Sequence, residues 1–271
     1  GFYVWEVFRF GLKMLRNPPF TPQIGPFFEY RAINPAARTD EQRAVVEAMA
    51  EFLTSSDASV VSLGLSPAIT DCLPFFWRGW KVIHHYTYRI DLSRSEGELM
   101  AAMSTERRKN IRKARNDGVS VREASDTHTM CSLMTKTFAR QNMSIPVATV
   151  GTLFSEFSPG SNSYCLISQQ EDGQPVAGAY IVHDAITAYY LIGGYATNGH
   201  HGAGALAMWH AILKAKAMGL KVFDFEGSMI PPIERYFRGF GGLLTPIFSI
   251  QRAWLPIEMI LKILPKYRNR F

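Results

Sequence analysis

The chain switches repeatedly between two hydrophobic periods, and each switch marks an element. Thr39, followed three residues on by Gln42, reads as a capping box that opens a helix. Val45, Met49, Phe52 and Leu53 then recur at i, i+4, i+7 and i+8 and predict one buried stripe. Ser59 to Leu65 is a short apolar strand. Trp80 to Leu92, rich in aromatic and β-branched residues, is a longer one. Ser95 with Glu98 forms a second capping box ahead of Leu99 and Met103. A helical run from Thr105 to Asp117 stops at Gly118, which suits the left-handed position after a helix. Before all of these, the proline-rich stretch Asn17 to Pro26 predicts an extended loop.

From Val119 the pattern restarts with a strand to Arg122. A helix over Thr127 to Gln141 comes next, with Met130, Leu133, Met134, Thr137 and Phe138 on one face. Another helix carries Leu153, Phe154 and Phe157. Ser163 to Gln169, Val176 to His183 and Thr187 to Tyr195 are strands joined by short links, an antiparallel meander. A helix from Gly204 to Met218 closes at Gly219, and a strand from Leu220 to Phe225 succeeds it directly. Strand, helix and strand in that order imply a right-handed crossover to a sheet neighbour. Pro231 and Pro232 suit a first helical turn, which the glycines from Gly239 onward stop. The expectation is a mixed α/β (α+β) chain of two domains, residues 1–118 and 119–271, each a largely antiparallel sheet flanked by helices.

Composition narrows this only in part. The chain has 271 residues, 47% of them apolar and 19% charged, which supports packed cores and not a disordered chain. Its three cysteines, Cys72, Cys131 and Cys165, are far apart and form no CxxC, so they read as small buried hydrophobes in a reducing cytoplasm. The most apolar stretches, Phe2 to Leu15 and Trp254 to Leu264, are broken by charges or proline short of a membrane span, and no signal peptide is read. The adjacent pairs His84-His85 and His200-His201 lack further ligands at metal spacing, so no metal site is expected. A net charge of +6 favours an anionic partner: nucleotide phosphates, RNA or acidic lipid.

Three segments carry candidate chemistry. The first is the turn Gly199 to Ala205, between a strand and a helix. His201, Gly202, Ala203 and Gly204 there could place free helix amides on a diphosphate. The same glycines also fit a tight turn that packs the helix on its sheet. The second is Phe223-Asp-Phe-Glu-Gly-Ser228. If the strand continues, Asp224 and Glu226 share one face. Glu226 at the open end is the first candidate for a general base, with Asp224 second, as a carboxylate buried against an arginine. The third is the basic run Glu106 to Arg115, where Arg108, Arg112 and Arg115 fall on one side and Ile111 and Ala114 offer a core stripe. Arg235 and Arg238, three apart, present a further cationic face.

The motifs, taken in order, resemble a known group. Gly202 and Gly204 match the glycine positions of the coenzyme A loop of GNAT acyltransferases, although Gly199 stands where those proteins carry Gln or Arg. Arg107-Arg-Lys-Asn-Ile-Arg-Lys-Ala-Arg, then Gly118-Val119, looks like the segment joining the halves of Fem-type aminoacyltransferases. Asp224-Phe-Glu-Gly-Ser and Phe237-Arg-Gly-Phe-Gly-Gly242 are similar to that family's ending. The resemblance implies two GNAT-like domains in tandem and transfer of an acyl group from acyl-CoA, or of an aminoacyl group from aminoacyl-tRNA, to an amine-bearing acceptor such as a cell-wall or lipid precursor.

A second function class competes: a non-catalytic binder of RNA or anionic lipid. It would use the basic helix and the C-terminal segment, where Ile257, Ile260, Leu261 and Leu264 precede Lys266, Arg268 and Arg270. That amphipathic segment would place the protein at the inner membrane surface.

Overall fold

The computed structural model of the chain describes residues 1–124, 127–140, 147–157 and 160–263. Through these the chain runs β1 (Trp5–Arg9), β2 (Leu12–Arg16), α1 (Pro35–Ser55), β3 (Val60–Gly64), α2 (Leu73–Trp77) and β4 (Lys81–Asp91). Next come α3 (Glu96–Ala102), α4 (Thr105–Asn116), β5 (Ser120–Ala124), α5 (His128–Arg140), α6 (Val147–Glu156), β6 (Ser163–Gln169), β7 (Pro175–His183) and β8 (Thr187–Tyr195). The last elements are α7 (Ala203–Ala217), β9 (Val222–Asp224), α8 (Pro231–Arg238), β10 (Leu243–Ala253) and α9 (Leu255–Ile263).

The chain divides into two compact units, residues 1–86 with 245–271, and residues 87–244. The boundary expected at 118/119 falls inside the second unit. There Ile111 and Ala114 of α4 share a core with Leu206, Trp209 and Ile212 of α7, which ties the basic helix to the elements C-terminal to it.

In the first unit β2 pairs antiparallel with β1 and parallel with β3, and β3 pairs antiparallel with β10. Val46, Met49, Ala50 and Leu53 of α1 join Leu15, Val61, Leu63 and Ile250 in one core. Helix α1 begins a turn earlier than its expected cap. Asn34 accepts the Ala37 amide at 2.8 Å and Pro35 takes the first helical position, a stronger start than Thr39 provides. Thr39 instead bonds back to the Pro35 carbonyl. The buried face is turned accordingly: Val46 is buried and Phe52 is 60% exposed. The β1–β2 hairpin was not expected. It closes through Phe10 at φ 54° and Gly11 at φ 74°, and Phe is an unusual residue for that left-handed position.

The second unit carries the sheet β4-β9-β8-β7-β6-β5, in which only β8 and β9 run parallel. Helix α7 connects those two as the expected crossover. The Ser95–Glu98 capping box forms, and Gly118 and Gly219 end their helices at φ 74° and 81°. Helix α7 is buried along most of its length, from Ala203 to Ala215. In the C-terminal segment, α9 takes up Ile257 and Ile260. The side chain of Leu261 and residues Leu264, Lys266, Arg268 and Arg270 lie outside the described residues. Among the described residues, no helix is long and apolar enough to cross a membrane. Cys72 and Cys165 are buried and Cys131 is half-buried, and among the described residues no disulfide joins them.

Two glycines should respond oppositely to alanine. A Cβ at Gly194 would lie 2.7 Å from the Leu133 Cβ and 2.8 Å from the Met134 amide, where α5 crosses β8. Gly194→Ala should therefore cost about 1–3 kcal/mol by overpacking. Gly97 in α3 faces open space, and Gly97→Ala should add about 0.4–1 kcal/mol by stiffening the unfolded chain. Urea midpoints at constant m-value read both.

Candidate active site

Strands β8 and β9 pair only through Thr187↔Val222, Ala188↔Phe223 and Tyr189↔Asp224. Beyond Tyr189, β8 continues to Tyr195 against β7 alone. The β7–β8 register slips there: Ile181 faces Tyr190 and Tyr180 faces Ile192, which leaves Leu191 as the extra residue of a bulge. A bulge bends its strand and re-aims the side chains around it. The two parallel strands therefore part at Asp224.

The structure brings both candidate carboxylates to this parting, though not as two residues of one strand. Strand β9 ends at Asp224, and Glu226 turns into the left-handed region at φ 59°, with Gly227 after it at φ 76°. A non-glycine residue held there costs on the order of 1–3 kcal/mol unless its surroundings enforce it. Asp224 supplies the enforcement, accepting the Glu226 amide on Oδ1 at 2.8 Å. The same oxygen accepts the Thr87 hydroxyl at 2.6 Å. Arg89 Nε lies 3.2 Å from the other oxygen, so Asp224 is the buried, arginine-paired carboxylate expected. Burial pushes its carboxyl upward; Thr87, the Glu226 amide and Arg89 pull the other way. Half-buried Glu226 is pushed up to about 8, first by desolvation and then by the negative charge of Asp224.

The glycine-rich turn is closed by the protein itself. Gly202, Ala203 and Gly204 are buried. The Gly202 amide donates to His200 Nδ1 at 3.1 Å, and the Ala203 amide to the His200 carbonyl at 2.9 Å. The Gly204 amide faces the Tyr195 hydroxyl and pulls the phenol's proton affinity down. A Cβ at Gly202 would stand 2.3 Å from the Asn110 carbonyl oxygen of α4. One at Gly204 would stand 1.9 Å from Tyr195 Oη. Both glycines make room for other parts of this chain. His201 alone of the four residues is exposed.

The arginines of the basic helix do not converge. Arg108 folds back to donate to the Ala101 carbonyl at 3.0 Å, and Arg115 is exposed. Arg112 lines a cavity of about 370 Å³ with Lys109, Asn110, Lys113, Asn116, Asp117 and His201. Asp117 is held below the usual carboxylate range by hydrogen bonds from Lys113 and His200. Arg235 is exposed, and Arg238 pairs with Glu234 at 3.3 Å. Glu234 also accepts the Tyr88 hydroxyl at 2.6 Å; burial, and then that carboxylate, push the phenol up to about 12.

Two side chains central to this region are not among the sequence candidates. Arg107 is buried, its guanidinium 4.3 Å from the Tyr236 ring centre and 5.0 Å from that of Phe240. It sits against the C-terminal end of α8, donating to the Tyr236 carbonyl, where the helix dipole favours a cation. Its position was legible, since residues 107, 111 and 114 form an i, i+4, i+7 stripe that contains Ile111 and Ala114. Tyr195, on the α7 amide, left no sequence signal. Among the described residues no cluster of His, Cys, Asp and Glu has the makings of a metal site.

Comparison with known proteins agrees with this architecture. Residues 104–238 match the sequence model of the acetyltransferase (GNAT) domain family. A crystal structure of FemX superposes with a TM-score of 0.66 at 13% identity, covering 96% of this chain and 90% of that one. The C-terminal domain of a putative lysylphosphatidylglycerol synthetase from Agrobacterium fabrum superposes at 0.60 with 9% identity, covering 95% and 83%. L-PGS from Bacillus licheniformis does so at 0.56 with 11% identity, covering 95% and 83%. At such identities the likeness is one of fold. No curated protein matches the chain in sequence.

The upward shift of Glu226 makes a stability prediction. Between the carboxyl's unfolded value of 4.5 and its folded value of about 8, the native state holds more proton than the unfolded one. Stability should therefore fall as pH rises through that window. Urea unfolding across pH 5 to 8 should show the decline, and Glu226→Gln should flatten it.

Proposed function

Because residues 104–238 of this chain match the GNAT acetyltransferase domain family, we propose that the protein transfers an acyl or aminoacyl group to an amine, with Glu226 as the general base. The observation that carries this reading is a carboxyl pushed up to about 8, held in a left-handed backbone at the parting of β8 and β9. An amine must lose a proton as it attacks a carbonyl carbon. A carboxylate whose pKa lies near the working pH accepts that proton with useful driving force while remaining available as a base.

The chemistry balances on this chain's own groups. The amine nitrogen bonds to the acyl carbon, its proton passes to Glu226, and the bond from that carbon to the donor's sulfur or oxygen breaks, the leaving atom taking the bonding pair and then the proton from Glu226. Beyond Tyr189 the edge of β8 facing β9 has no strand partner, so its amides can receive the developing oxyanion. Asp224 acts through Glu226: it fixes that residue's backbone and raises its proton affinity. Lys109 and Arg112 in the neighbouring cavity supply positive charge for an anionic donor, acyl-CoA or aminoacyl-tRNA, and the amine-bearing acceptor approaches Glu226.

The test offers labelled acetyl-CoA and a set of aminoacyl-tRNAs, in parallel, to aminosugar, peptide and amine-headed lipid acceptors. Transfer should occur from one donor class. Glu226→Gln should lower kcat about 10²–10⁴-fold while the protein stays folded. In the wild type, kcat/KM should rise with pH as Glu226 deprotonates near 8, and the variant should lack that limb. Absence of transfer from both donors, or full activity in Glu226→Gln, would remove the reading.

A further inference from the structure

Helix α7 begins with three consecutive amides, at Gly202, Ala203 and Gly204, and each faces a group of the chain itself, the first two through hydrogen bonds and the third by standing against a phenol. Two of those groups come from His200. The third is the Tyr195 side chain, which leaves the end of β8 and lies directly over Gly204. A Cβ built at Gly204 would meet Tyr195 Oη at 1.9 Å, Cζ at 2.2 Å and Cε2 at 2.4 Å. The ring thus fills the space that the missing side chain leaves, and its hydroxyl stands at the positive end of the helix dipole.

We infer that Tyr195 is a specificity residue: it plugs the α7 amino terminus and excludes donors anchored there by a diphosphate, coenzyme A thioesters included. This rests on the acyltransferase reading and narrows its donor. The plug is braced on both sides. The Tyr195 amide donates to Thr137 Oγ1 at 2.7 Å, and its carbonyl accepts Arg140 at 3.0 Å. Asp117 holds His200 Nε2 at 2.9 Å, which keeps Nδ1 turned toward the Gly202 amide. The phenol stays neutral, because burial pushes its proton affinity up against the opposing pull of the Gly204 amide and Arg107. A neutral phenol occupies this space without adding charge, whereas a diphosphate would need the turn's amides and the volume of the ring. The donor is therefore an acyl or aminoacyl ester whose anionic part lies off the turn. Lys109 and Arg112, which have no carboxylate partner among the described residues, are the cations open to it in the adjacent cavity.

Calorimetric titration with inorganic pyrophosphate and with desulfo-CoA tests this on the full chain. Wild type should show no saturable binding of either at millimolar concentration. Tyr195→Ala should gain pyrophosphate binding, tighter by at least tenfold, and Tyr195→Ala with Gly204→Pro, which lacks the amide, should lose that gain. Should the alanine variant not fold, the Gly204 amide resonance of the wild type decides: it should not move during pyrophosphate titration. Saturable binding of desulfo-CoA by wild type, a shifting Gly204 amide, or a folded Tyr195→Ala that gains nothing would overturn the inference. Each of those results leaves Glu226-dependent transfer untouched, so the plug and the acyltransferase reading fail separately.

Discussion

The buried carboxylate of Asp224 is the point on which the rest of the site depends. It is fully enclosed at the end of a three-residue strand, where it would be costly without partners. The Thr87 hydroxyl and the Glu226 amide hydrogen-bond one of its oxygens, and Arg89 on β4 offsets the charge of the other as an ion pair. One group thereby ties two neighbouring strands together, stops β9, and holds the next carboxylate in a backbone conformation that Glu rarely adopts. Its charge then raises the proton affinity of the residue it has positioned. Asp224 thus sets the geometry of Glu226 and adds to the upward shift that desolvation begins.

A second constraint lies at the start of α7. Helix α7 is packed on both sides, and the close approaches at its start leave no volume to spare. Gly202 lets the α4 backbone in and Gly204 lets Tyr195 in. Arg107 anchors α4 to the end of α8 through the Tyr236 carbonyl and two aromatic rings, and the Ser104 amide reaches the Gly239 carbonyl at 2.9 Å. The basic helix is thus part of the core on one face and offers cations on the other. Only Arg112 of its three expected binding arginines, joined by Lys109 and Lys113, faces the cavity beside the turn.

Much of the second unit was legible because its signals are local. The meander of β6, β7 and β8 has short links, the capping box at Ser95 involves residues three apart, and Gly118 and Gly219 stop helices in left-handed positions. Glu226 stood out for a local reason too, as a carboxylate between an aromatic strand and a glycine. The elements that escaped had signals that compete with each other. Phe10 gives no sign of a hairpin turn, Pro246 weakens the strand pattern of β10, and Asn34-Pro35 outcompetes the capping box at Thr39.

Periodicity and the cost of burying charge were enough to specify the mixed α/β class, the crossover of α7, the base candidate and the burial of Asp224 against an arginine. The folded arrangement was needed to choose which of the chain's arginines pairs with Asp224, how Glu226 turns, and what fills the space at the glycine-rich turn. A glycine in sequence says only that a side chain would not fit. Whether a phosphate or a tyrosine takes the space depends on residues brought there by the fold, and in this chain Tyr195 fills it.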